Sequence, residues 1–113
     1  MHELTIAQSI LNIINEELLV NNLSKVIKIS IRIGRLTAIE PESLKFCFEI
    51  ITKNTKAEGS VLEIDYVPIR CKCSNCQIVF TVDELDFICP KCMGSNLKII
   101  SGNELQVVGL EAE

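Results

Sequence analysis

Ile27-Lys28-Ile29-Ser30-Ile31-Arg32-Ile33 alternates a branched apolar residue with a polar one without a break. A period of two sends the isoleucines to one face and Lys28, Ser30 and Arg32 to the other, so the stretch reads as a half-buried strand ending near Gly34. Upstream, Leu4, Ala7, Leu11, Ile14 and Leu18 recur at alternating steps of three and four, an amphipathic helix that Asn21 and Asn22 would terminate. Downstream, Pro41 suits the first turn of a second helix, on which Leu44, Cys47, Phe48 and Ile51 share a face. Gly59 marks a turn, and Leu62, Ile64 and Tyr66 alternate with Glu63 and Asp65 in a second strand closed by Pro68. Leu105, Val107, Val108 and Leu110 supply a third strand within 104–111. The expected class is α+β, a small three-stranded sheet covered by two helices.

The chain has 113 residues, 48% of them hydrophobic, and a formal net charge of −4. That length admits one compact core plus a metal-stapled appendage and excludes a multidomain enzyme. The acidic balance lacks the electrostatic footprint of a general nucleic-acid or anionic-membrane binder. No apolar run approaches the roughly 20 residues that span a bilayer, and the start lacks a basic region followed by an apolar core and a cleavage site. The expectation is a cytoplasmic protein whose Met1 is its true start. Its six cysteines are then reduced thiols or metal ligands, since the cytosol disfavours structural disulfides.

Between 70 and about 101 the helical periodicity disappears and four cysteines gather as Cys73-x-x-Cys76 and Cys89-x-x-Cys92. Two such pairs let a chain close a tetrahedral cage of thiolates around Zn²⁺, and iron in a rubredoxin-like site would use the same four sulfurs. Pro90 fixes φ inside the second pair, and Gly94 is expected to permit a positive φ close to the sulfurs. Four protein ligands leave no position for water, so the role is structural rather than hydrolytic. A redox dithiol is disfavoured because no βαβ context surrounds the pairs. Cys71 adds a competing Cys71-x-Cys73 spacing, although symmetry favours Cys73 as the ligand and packing as the role of Cys71. Cys47 reads as a small core residue. Arg70, Lys72, Lys91 and Lys98 nearly cancel Asp83, Glu84 and Asp86, and four thiolates around a divalent ion add net negative charge, so the unit carries no basic stripe.

His2 is the single histidine and lies between Met1 and Glu3. A metal bridging the α-amine and the deprotonated His2 amide closes a five-membered ring, and the imidazole closes a six-membered one. A further nitrogen approaches the square-planar field that suits Ni²⁺ or Cu²⁺. A histidine at a chain end is otherwise a solvated residue.

Taken together, these residues resemble the hydrogenase/urease nickel-incorporation family, the HypA/HybF-type nickel metallochaperones. Met1-His2-Glu3 resembles its nickel-binding start, and Ile33-Gly34-Arg35-Leu36 through Glu40-Pro41-Glu42-Ser43-Leu44-Lys45-Phe46 its first strand and second helix. Ala57-Glu58-Gly59, the two cysteine pairs and Ser101-Gly102-Asn103-Glu104-Leu105 extend the likeness over nearly the whole chain. The resemblance implies a discontinuous nickel domain of residues 1–69 plus 102–113 and an inserted zinc ribbon of residues 70–101. Nickel would bind at Met1, His2 and Glu3, and structural zinc at Cys73, Cys76, Cys89 and Cys92. The implied protein is no enzyme. It works with a HypB-type maturation GTPase and passes Ni²⁺ to the [NiFe] hydrogenase large-subunit precursor and, in some organisms, toward urease. It is expected as a monomer or weak homodimer, with no nucleic-acid partner and no membrane insertion. Glu40, in the loop before the second helix, has two readings, an approach to the nickel site and, in preference, a helix-start carboxylate. The competing class is a zinc-ribbon adaptor that recruits protein or nucleic acid without nickel transfer.

Overall fold

The computed structural model describes residues 3–113. Its elements are α1 (Glu3–Val20), β1 (Val26–Gly34), a short 3₁₀ turn (Arg35–Thr37), α2 (Pro41–Ile51), β2 (Val61–Val67), β3 (Arg70–Cys73), β4 (Val79–Thr81), β5 (Leu97–Ser101) and β6 (Leu105–Ala112). The strands form two three-stranded sheets, one ordered β2-β1-β6 and the other β4-β3-β5. By its contacts the chain divides into two compact units, the first made of Met1–Arg32, Ile39–Asp65 and Gln106–Glu113, the second of Ile33–Ala38 and Tyr66–Leu105.

In the first unit α1 packs on α2. Ala7, Ile10, Leu11, Ile14 and Leu18 are the buried stripe of α1, and Leu44 and Phe48 that of α2. Ile29 and Ile31 of β1 are likewise buried, and with the two helix stripes they supply the apolar interior of this unit. The sheet's other strands follow the expected segments, but the start of β1 departs from strict alternation. Val26 is buried and Ile27 is 40% exposed, and the Val26 N–H is spent on the carbonyl of Lys56 at 3.0 Å. Cys47 is half-buried rather than part of the sealed core.

The ends of the elements follow from local chemistry. Asn22 adopts a left-handed φ of 54°, and the Leu23 N–H then reaches back to the Leu18 carbonyl at 2.9 Å, the six-to-one bond that closes a helix terminus. Glu40 caps α2, its Oε1 accepting the Glu42 N–H at 2.9 Å, with Pro41 in the first turn. On the polar face of the sheet Lys28 pairs with Glu63 at 3.6 Å and Arg32 with Asp65 at 3.3 Å. All four side chains are largely in water, so these pairs order the strands more than they stabilise them.

The second unit has a much smaller apolar centre. Ile69, Cys71 and Val82 are fully buried, with Leu36, Phe80, Phe87 and Leu97 packed around them. The segment after β1 belongs here because two backbone bonds clasp it: the Gly34 N–H donates to Glu104 O at 2.8 Å, and the Leu36 N–H to Gly102 O at 2.7 Å. The clasp depends on Gly34, where a Cβ would lie 2.0 Å from the Gly102 carbonyl. No helix among the described residues is long and apolar enough to cross a membrane.

Candidate metal centre

β3 is the central strand of the second sheet, pairing antiparallel with β4 through Cys71↔Phe80 and with β5 through Cys73↔Leu97. This places Cys73 at the end of β3, where the chain reverses toward β4. The reversal is a knuckle closed by two bonds, Cys73 N–H to Ile78 O and Gln77 N–H to Cys73 O, both 2.9 Å. The second knuckle repeats the pattern with Cys89 N–H to Gly94 O and Met93 N–H to Cys89 O, again 2.9 Å. The residue after each C-x-x-C pair turns left-handed, Gln77 at φ 68° and Met93 at φ 63°.

Gly94 therefore plays a different part from the one expected. The positive φ falls on Met93, and Gly94 is needed for clearance instead. A Cβ there would stand 3.1 Å from Asn75 Nδ2 and 3.2 Å from Cys92 Sγ. Sequence reasoning had no means of assigning the left-handed positions, because Gln and Met carry no signal for them.

The two knuckles bring Cys73, Cys76, Cys89 and Cys92 together, with all four Sγ atoms within 4.8 Å of one another. Cys71 is not in this group. It lies buried in the apolar centre with Ile69 and Val82, where burial pushes its thiol up. Cys73, not Cys71, shares the cluster with Cys76, Cys89 and Cys92.

Electrostatics divide the four thiols. The Cys76 N–H lowers the Cys73 thiol most, burial opposes it, and the Asn75 N–H tips the balance downward. Burial is the largest effect on Cys89 and raises it, but the N–H groups of Cys92 and Lys91, with the Cys76 and Cys92 sulfurs, outweigh it and bring it down to about 6. For Cys76 the Ile78 N–H is the largest effect and lowers the thiol. Burial and the sulfurs of Cys89, Cys73 and Cys92 act together against it and push it up to about 11. Cys92 is also raised, because the Cys73 and Cys89 sulfurs and burial overcome the Gly94 N–H. One buried thiol in each knuckle, Cys73 and Cys89, is thus shifted toward the thiolate, while Cys76 and Cys92 are shifted away from it. Four sulfurs at these separations, with amides directed at them, fit a tetrahedral thiolate-bound ion and leave no position for water.

Of the residues expected at the amino terminus, Met1 and His2 lie outside the described residues. Glu3 opens α1, and its Oε2 accepts the Glu40 N–H at 3.3 Å. The carboxylate that follows His2 is thereby tied to the residue that caps α2. This tie had no signature in the sequence, because it joins positions far apart in the chain.

A family model described as hydrogenase/urease nickel incorporation, metallochaperone, HypA matches residues 1–112. The chain belongs to the HypA family. A hydrogenase maturation factor HypA from Acidithiobacillus ferrooxidans is 38% identical over 113 residues, covering all of both chains. A HypA from Caldanaerobacter subterraneus subsp. tengcongensis is 40% identical over 114 residues, again covering both in full. The solution structure of the Ni metallochaperone HypA from Helicobacter pylori superposes with a TM-score of 0.65 at 25% identity, covering 99% of this chain and 97% of that one. A second solution structure of a HypA protein gives 0.72 at 26%, covering 100% and 97%. HypA proteins are nickel metallochaperones of hydrogenase and urease maturation, so the family is defined by metal handling rather than by a catalysed reaction. The α+β class with a four-cysteine metal site is also the architecture expected from the sequence.

Proposed function

We propose that this protein binds Ni²⁺ at Met1, His2 and Glu3 and delivers it, together with a HypB-type maturation GTPase, to the precursor of the [NiFe] hydrogenase large subunit, with urease as a further recipient in some organisms. The observation that carries this reading is the family match over residues 1–112, which includes the amino-terminal donors as well as the cysteine pairs. Glu3 supports it, since its carboxylate is held at the start of α1 by the Glu40 amide. Nickel is cargo here and Zn²⁺ the resident ion, held by Cys73, Cys76, Cys89 and Cys92 as the structural element of an inserted ribbon around residues 70–101. When bound, zinc closes the cage and stabilises the fold around it.

The amino-terminal donors suit transfer because they exchange protons near neutrality. Reference values are about 6.5 for imidazole and about 7.7–8.0 for an α-amine. A metal needs both deprotonated, so nickel affinity rises with pH through this range and is lost as acid protonates first the amine and then the ring. Thiolates in a closed cage exchange less readily, which separates the two ions by kinetics as well as by chemistry.

An amino-terminal extension tests this reading. Adding two residues before Met1 converts the α-amine to an amide and leaves every side chain unchanged. Calorimetric titration should show nickel affinity falling by at least about tenfold, in line with the loss of a tuned metal contact, with zinc content unchanged. Equal affinity with and without the extension would contradict the assignment of the α-amine.

A further inference from the structure

The four cysteines differ in their exposure as residues. Cys73 and Cys89 are buried, Cys76 is half-buried and Cys92 is exposed. Two close sulfur contacts cross from one knuckle to the other, Cys73 to Cys92 at 3.6 Å and Cys76 to Cys89 at 3.5 Å. Within the second knuckle Cys89 Sγ already accepts the Cys92 N–H at 3.5 Å, so its electron density is turned toward backbone amides.

We infer that the cage is a peroxide-responsive switch: Cys92 is the sulfur oxidised first, and it closes a disulfide with Cys73 across the knuckles, expelling the metal. The inference rests on the reading that zinc occupies these four cysteines. Access selects Cys92, because an oxidant arriving from solvent meets it before the buried pair. Proximity selects Cys73, which needs to move little to reach bonding distance. The sequence motif alone suggests the opposite outcome, closure within each C-x-x-C pair. That closure would have to distort a knuckle held by the Cys89–Gly94 and Met93–Cys89 backbone bonds.

The chemistry balances with hydrogen peroxide as the oxidant. The Cys92 thiolate attacks one peroxide oxygen, forming an S–O bond while the O–O bond breaks and hydroxide leaves. The Cys73 thiolate then attacks the Cys92 sulfur, forming the S–S bond and expelling a second hydroxide. Two thiolates lose two electrons, one peroxide gains them, and two protons from solvent convert the hydroxides to water. With two of its four ligands consumed, Zn²⁺ departs. A second peroxide closes Cys76 to Cys89 by the same steps, and a dithiol reductant reverses both. Oxidative stress would thereby disable the ribbon reversibly, with the two knuckles still linked by the new bonds.

The experiment uses the full-length zinc-loaded protein with Cys47→Ala and Cys71→Ala, which removes the bystander thiols. After one equivalent of hydrogen peroxide and alkylation of the remaining thiols, released zinc is read with a chromophoric chelator. The protein is then cleaved after Lys72, Glu84 and Lys91, and fragmentation of the linked peptides locates the bond. The expected result is zinc release in step with a Cys73–Cys92 linkage, and return of zinc binding after reduction. A first linkage of Cys73 to Cys76 or of Cys89 to Cys92, or a sulfinate on Cys92 with no disulfide, would overturn the inference. Metal analysis before oxidation separates the two claims, because protein that binds no zinc at the cysteines would instead overturn the reading on which it rests.

Discussion

His2→Ala should abolish nickel binding at the amino terminus while the zinc content, the far-ultraviolet spectrum and the melting temperature stay unchanged. The variant deletes the sole imidazole of the chain and with it the donor that closes the larger chelate ring. Losing a group that merely orients a metal ligand costs about 10–100-fold in affinity, so loss of the ligand itself should exceed about 100-fold in a calorimetric titration near pH 7.5. Among the described residues the buried stripe of α1 starts at Ala7 and is completed by α2 and the sheet, so zinc content and melting temperature serve as the controls for the fold. Repeating the titration of the wild type at falling pH should trace the protonation of the same donors, with affinity declining from about pH 8 to below about pH 6. An alanine variant that binds nickel as tightly as the wild type would remove His2 from the site.

Stripping the cysteine-bound metal should unfold the second unit and spare the first. Three fully buried residues, Ile69, Cys71 and Val82, cannot by themselves offset the chain entropy of ordering the segments around them. A structural zinc contributes on the order of 10–16 kcal/mol in small domains of this kind. Hydrogen exchange after treatment with a strong chelator should show protection lost across Ile33–Ala38 and Tyr66–Leu105, the segments that make up this unit. Amides in α1 and α2 should keep theirs, because their stripes rest on an independent apolar interior. Cys89→Ser should give the same pattern without a chelator, since it removes one of the four sulfurs gathered in the cage. Unchanged protection in the second unit would show that its fold does not depend on the metal.

Periodicity carried the first unit well. The 3-4 stripe of α1 from Ala7 to Leu18, though not its expected first member Leu4, which is 52% exposed, and the alternation around Ile29, Ile31 and Ile33 each have one buried face, and a buried face leaves a repeating mark in the chain. Pro41 and the asparagines after α1 mark helix ends for reasons that are local. The second sheet left no such mark. β3, β4 and β5 span four, three and five residues, too short for alternation to emerge, and a metal cage rather than a broad apolar face holds them. The cage itself was legible because C-x-x-C spacing is a local constraint on one knuckle. What Gly34 and Gly94 do was not, since each clears a neighbour that is remote in the chain, Gly102 in one case and Asn75 in the other. The tie between Glu3 and Glu40 was hidden for the same reason.

The most direct test of the account is nickel K-edge X-ray absorption on protein without an amino-terminal extension, carrying one equivalent of zinc and one of nickel. The account predicts a nickel spectrum fitted by nitrogen and oxygen neighbours alone, including the outer-shell pattern of an imidazole, and a zinc spectrum fitted by four sulfurs. Sulfur neighbours around nickel would contradict it, because they would place the cargo in the cysteine cage.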